Sequence, residues 1–156
     1  MSNKVLAGDY EGYKVVKTIG GRTMLNLQTN QHGVYSLSYH LILVTKYRHP
    51  CMTQEIQTRI QEVVESLFEK WGCTLIELNG EIDHIHILFE APPQIRLAST
   101  INSLKSVTSR YIRKEFPEEL EPFYWKPYFW SNSYFLISTG GAPIEIIRQY
   151  IEDQGK

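Results

Sequence analysis

An α+β fold with a split βαβ order is predicted from three observations along the chain. Runs rich in β-branched and aromatic residues mark four strands, two stretches of helical periodicity lie between them, and Pro or Gly punctuates several of the junctions. The resulting order is strand, helix, strand, strand, helix, strand, and then one more helix. The first six elements are those of a ferredoxin-like domain, an antiparallel sheet with both helices on one face. The seventh is expected to be a mobile C-terminal helix.

Each element has its own signal. Residues 1–30 are the least patterned, with Gly20-Gly21 and Asn30 suggesting short extended pieces around turns. The first strand is expected over Val34–Tyr47, with Tyr35, Leu37, Tyr39, Leu41 and Leu43 on one face, and Ser36, Ser38, His40, Ile42 and Val44 on the other. Thr53 can cap a helix whose apolar face is Ile56, Ile60, Val63, Val64, Leu67, Phe68 and Trp71, and Gly72 can end it. Thr74–Leu78 reads as the second strand and Asn79-Gly80 as a hairpin turn into the third, which carries Asp83-His84-Ile85-His86-Ile87-Leu88-Phe89. After Pro92-Pro93, Leu97, Ile101, Leu104, Thr108, Tyr111 and Ile112 recur at helical spacing up to Phe116-Pro117. An aromatic loop follows, in which Trp125, Tyr128 and Trp130 are expected to form satellite core, although they could also stack on unpaired bases. Ser133–Thr139 is the fourth strand, Gly140-Gly141 a hinge candidate, and Pro143 can open the last helix. Residues 1–30 are taken as an N-terminal extension and 31–156 as a single catalytic domain.

Composition narrows the classes. A chain of 156 residues can bury one sizeable core. No apolar run approaches a membrane span, and no secretory leader pattern opens the chain, so a cytoplasmic location without membrane association is expected. Two cysteines, Cys51 and Cys73, are too few for a disulfide framework. The net charge is only −1, but its distribution is uneven. Arg96, Lys105, Arg110, Arg113 and Lys114 follow one another with no intervening acid, and no carboxylate side chain occurs between Glu11 and Glu55. Such a polarised surface attracts phosphate.

The chemistry starts at His84 and His86. On a strand these side chains share a face, roughly 7 Å apart along the strand axis. Two imidazoles so placed can begin a divalent-metal site, provided a further ligand comes from elsewhere. On the last helix Tyr150 and Gln154 are four residues apart and therefore share a face. Asp83–Leu88 resembles the HUH motif of histidine, hydrophobic residue, histidine. Joined in order to Trp130–Phe135, Thr139–Pro143 and Gln149–Gln154, it resembles the single-tyrosine transposases of the insertion sequence 200/605 family. Tyr39–Ile42, Thr45–Arg48, Leu104–Ser106 and Ser109–Phe116 support the match, which covers roughly residues 34–154.

That resemblance implies a function. His84, His86 and Gln154 would hold Mg²⁺ or Mn²⁺, and Tyr150 would be the nucleophile that leaves a 5′-phosphotyrosine. The substrate would be single-stranded DNA at hairpin-bearing element ends, and the protein a homodimer whose tyrosine helix acts in trans. Gly140 and Gly141 would be the hinge of that helix. Lys46, Arg48, Lys105, Arg110 and Arg113 are candidate phosphate contacts. Two other readings remain open: a ferredoxin-like nucleic-acid-binding module without chemistry, and a domesticated nuclease that cuts repeat hairpins.

Overall fold

A computed structural model describes residues 37–139, together with the backbone of four short strands before them. Gly140, Gly141, Tyr150 and Gln154 lie outside the described residues. The chain divides into two units, Met1–Leu37 and Ser38–Lys156. In the first, β1 (Thr18–Ile19) pairs antiparallel with β2 (Arg22–Thr23), and β3 (Gln28–Asn30) with β4 (Gly33–Tyr35).

The second unit is the ferredoxin-like domain. Its elements are β5 (Ser38–Thr45), α1 (Gln54–Trp71), β6 (Thr74–Gly80), β7 (His84–Glu90), α2 (Leu97–Glu115), the short α3 (Pro117–Leu120) and β8 (Trp130–Ser138). The strands form one antiparallel sheet in the order β6-β7-β5-β8. Thus β7, which bears both histidines, is central.

Local chemistry accounts for the helix ends. The Thr53 side chain accepts a hydrogen bond from the Ile56 N–H, and Gly72 closes α1 in the left-handed conformation (φ 71°). Ile56, Ile60, Val64 and Phe68 of α1 and Ile101, Leu104 and Ile112 of α2 are buried against Leu41, Leu43, Ile85, Ile87 and Phe89 of the sheet. All five of those strand residues point the same way, because neighbouring residues on a strand alternate faces. The intervening residues His40, Ile42, His84, His86 and Leu88 therefore project from the opposite face.

Several strand boundaries differ from the pattern reading, and β8 begins at Trp130 rather than Ser133. The run expected over 34–47 gives β4 and β5 separately, and Lys46–Arg48 is a 3₁₀ turn rather than strand. Gly80 is not a turn residue but the last residue of β6, so the turn lies further on. The reason is close approach: a Cβ at Gly80 would sit 2.6 Å from Gln57 Oε1. That side chain cannot easily yield, since Gln57 Nε2 donates to the carbonyls of Met52 (3.0 Å) and Glu81 (3.1 Å). A register shift in β6 between Leu75 and Glu77 has its own consequence. The extra residue lets Leu75 and Leu78 both face the helices, while Glu77 and Asn79 face the histidine side.

The aromatic loop also needs correction. Trp130 is buried, and its indole N–H donates to Thr108 Oγ1 at 2.9 Å. Tyr128 packs partly against the core. Trp125, however, is 88% exposed and is not core at all, with Lys126 Nζ lying 4.7 Å from its ring centroid. A helical turn at Pro117–Leu120 and the following turn carry the loop so that Leu120 and Tyr124 point inward while Trp125 stays outside.

Candidate active site

The register of β7 places the two imidazoles side by side. His86 lies opposite Ile42 on β5 and Asn79 on β6, and His84 opposite Val44. Their ring centroids are 4.7 Å apart with the planes nearly perpendicular. His84 is buried at 5% exposure, and His86 is half-buried.

Hydrogen bonding differs between the two rings. His84 Nδ1 lies 2.6 Å from Asp83 Oδ1. A carboxylate oxygen accepts, so Nδ1 is the donor, and in the neutral ring that tautomer leaves the lone pair on Nε2. That Nε2, and Nδ1 of His86, are buried and have no hydrogen-bond partner among the described residues. Buried polar atoms are nearly always paired, so two orphans on adjacent imidazoles indicate a site built for something further.

Burial favours the neutral form of two histidines on this face, His86 and His40. Burial pushes His86 from its ordinary 6.5 down to about 4, and its neighbours His84 and His40 push the same way. His40, 2% exposed on the same face, is also lowered to about 4 by burial, against a smaller opposing pull from Glu77. A neutral imidazole is the form that donates a lone pair to a metal, so the donor set fits a divalent cation. No cluster of three or more His, Cys, Asp or Glu able to hold an ion occurs among the described residues. A third protein ligand would therefore be of another type or come from outside them.

The candidate phosphate contacts separate into three places. Lys46, Lys105 and Arg48 lie near the end of β5. Lys105 Nζ donates to the Asn132 carbonyl at 3.0 Å, and burial, with Lys46 nearby, lowers its pKa. Lys46 Nζ stands 5.3 Å from the ring centroids of both Tyr47 and Tyr128. Arg48 reaches Asp83 Oδ2 at 3.4 Å. Arg110 instead lines a cleft between α1 and α2 with Arg59, Lys70 and Lys114. Arg113 lines another with Glu118, Glu121, Trp125 and Lys126. The basic stripe of α2 is thus divided between surfaces, and acids share both clefts, Glu62 the first and Glu118 and Glu121 the second.

Two residues with a part in the site had no assigned role in the pattern. Asp83 orients His84, and its signal was a carboxylate directly before the first histidine. Thr45, fully buried, donates its N–H to the Asp83 carbonyl at 2.9 Å, and nothing in the sequence pointed to it. Tyr124 is a phenol unsuited to attack: burial raises its pKa, and its OH donates to the Lys46 carbonyl at 2.6 Å.

Comparison with known proteins decides the lineage. The profile of the family described as "Transposase IS200 like" matches residues 33–154. This chain belongs to the IS200-like transposase family. It is 28% identical over 130 residues to the ISDra2 transposase TnpA of Deinococcus radiodurans, covering 83% of this chain and 92% of that protein. It is also 28% identical over 123 residues to the transposase for insertion sequence element IS200 of Salmonella typhimurium, covering 79% and 80% respectively. A crystal structure of a transposase from Deinococcus radiodurans R1 superposes with a TM-score of 0.67 at 30% identity, over 81% of this chain and 97% of that one. A REP-associated tyrosine transposase bound to a REP hairpin shares the fold, with a TM-score of 0.53 at 8% identity, over 79% and 67%. For an IS200-like transposase, the match extends through Tyr150 and Gln154, beyond the residues the structure describes.

Proposed function

We propose that this IS200-like transposase cleaves and rejoins single-stranded DNA at hairpin-bearing element ends through a 5′-phosphotyrosine at Tyr150. One observation carries the reading: two adjacent imidazoles on one face of a central strand each keep a buried ring nitrogen with no hydrogen-bond partner among the described residues. His84, His86 and Gln154 would hold Mg²⁺ or Mn²⁺. When bound, the ion supplies Lewis-acid polarisation of the scissile phosphate and stabilises the charge that develops there.

The chain's own groups do the rest. Asp83 fixes the His84 ring by accepting from Nδ1. Tyr150 forms a bond from its phenolic oxygen to phosphorus as the bond to the 3′ oxygen breaks. The phenol gives up its proton, and the departing 3′ oxygen gains one. Because phosphodiester energy stays in the tyrosine ester, rejoining needs no nucleotide cofactor. The fold neighbour bound to a REP hairpin motivates the hairpin as partner. A homodimer in which the Tyr150 helix of one protomer serves the other, hinged at Gly140-Gly141, completes the proposal.

The test is a labelled hairpin carrying single-stranded flanks, incubated with Mn²⁺ and run on a denaturing gel. Wild type should give a protein-linked product, and Tyr150→Phe should give none while binding the hairpin as tightly. An adduct that survives the substitution would mean another nucleophile. Normal binding by wild type with no adduct would leave a binding module without chemistry.

A further inference from the structure

Two consecutive non-glycine residues, Tyr47 (φ 59°) and Arg48 (φ 53°), adopt the left-handed backbone that L side chains disfavour. Such a pair persists only where surrounding contacts over-determine it. The contacts are present on both sides. Besides its N–H bond to Asp83, Thr45 shares its hydroxyl hydrogen between the carbonyls of His49 (2.8 Å) and Asp83 (3.1 Å). Lys46 N–H donates to the Phe129 carbonyl at 2.8 Å, and the Lys46 carbonyl accepts from Tyr124. The chain is pinned before and after, so the two residues between must reverse direction within the turn.

The reversal returns the Arg48 guanidinium to the carboxylate that orients His84. Asp83 Oδ2 faces Arg48 at 3.4 Å while Oδ1 accepts a hydrogen bond from His84 Nδ1 at 2.6 Å. Each carboxylate oxygen is thus held by a different donor, and both the main chain and the side chain of Asp83 are tied to the same turn. We propose that Arg48 is a positioning residue acting on His84 through Asp83, and that the left-handed turn exists to hold it there. This rests on reading His84 as a metal ligand. With its carboxylate immobilised, Asp83 keeps the imidazole proton on Nδ1 and leaves the Nε2 lone pair facing the site. The planar fork of an arginine suits this role better than the point charge of a lysine.

Arg48 is 61% exposed, so truncating it removes little packing. The experiment compares full-length wild type, Arg48→Ala, Arg48→Lys and Asp83→Asn by two readouts. The first is imidazole ¹⁵N NMR of the metal-free protein, which reports the His84 tautomer. The second is Mn²⁺ titration followed by the EPR signal of the free ion. Wild type should show His84 in the Nδ1–H form alone, and Arg48→Ala should show a mixture of tautomers. Mn²⁺ binding should weaken by about 10–100-fold in Asp83→Asn and by about threefold or more in Arg48→Ala, with part of the loss recovered in Arg48→Lys. An Arg48→Ala protein with an unmixed His84 tautomer and wild-type Mn²⁺ affinity overturns the proposal, even if it binds DNA less well, for Arg48 is then a phosphate contact only. Should wild type take up no Mn²⁺, the metal reading fails, and the tautomer measurement still decides whether Arg48 acts on His84.

Discussion

The two faces of the sheet obey different rules along its central strands. Toward the helices, β5 and β7 present Leu41, Leu43, Ile85, Ile87 and Phe89, and a polar pairing in that core, Trp130 with Thr108, is satisfied at 2.9 Å. On the other face the same two strands present His40, Ile42, His84, His86 and Leu88, with two ring nitrogens that have no partner among the described residues. Adjacent residues of one strand therefore serve opposite ends: Ile87 stabilises the fold, and His86, next to it, is kept at a cost to stability. A core tolerates such a cost where function requires it.

The sharpest way to break this comparison is to truncate one residue on each face. His86→Ala should lower single-turnover cleavage by about 10²–10³-fold, the weight of several kcal/mol of Lewis-acid assistance, with the unfolding midpoint hardly moved. Ile87→Ala should do the reverse, costing about 2–5 kcal/mol in chemical denaturation while cleavage per folded molecule stays near wild type. If His86→Ala proves as destabilising as Ile87→Ala, the histidine face is ordinary core. Next in size, Thr108→Val leaves the buried indole N–H of Trp130 without an acceptor and should cost about 1–3 kcal/mol by urea melt.

Acid separates the faces further. His40 and His86 have folded values near 4 against 6.5 when unfolded, so the unfolded chain binds more protons between those limits. Stability should be level above about pH 6.5 and fall as the pH drops toward 4. A His40→Gln protein should show a shallower fall in thermal midpoint over that window, and an unchanged slope would count against burial of the neutral ring. The smallest effect is expected outside both faces. Trp125→Ala should shift stability by no more than about 0.5 kcal/mol, because 88% of the residue is already in water.

Much of the fold was legible because periodicity and capping act locally. Thr53 and Gly72 bracket α1 as their chemistry requires, and the alternation of β7 put both histidines on one face. The misreadings share a cause: each was fixed by distant partners. Gly80 looked like a turn glycine, but it is small because Gln57 crosses it. The left-handed pair at Tyr47-Arg48 carries no glycine or asparagine to announce it, since hydrogen bonds from Thr45 and Tyr124 impose it. Exposure of Trp125 depends on where α3 turns the chain, which no apolar pattern encodes. At the site, His84 and His86 could be singled out from spacing, whereas the roles of Asp83 and Thr45 needed the register.

The place of β7 in the sheet has a dynamic consequence. With β6 on one side and β5 on the other, its amides are hydrogen-bonded within a strand that cannot open until a neighbour leaves. Edge strands β6 and β8 can fray alone, and native-state hydrogen exchange should therefore find the amides around His84 and His86 among the last to equilibrate with deuterium. On that expectation the spacing of the two imidazoles, mounted on an interior strand, outlasts motions that loosen the rim of the sheet.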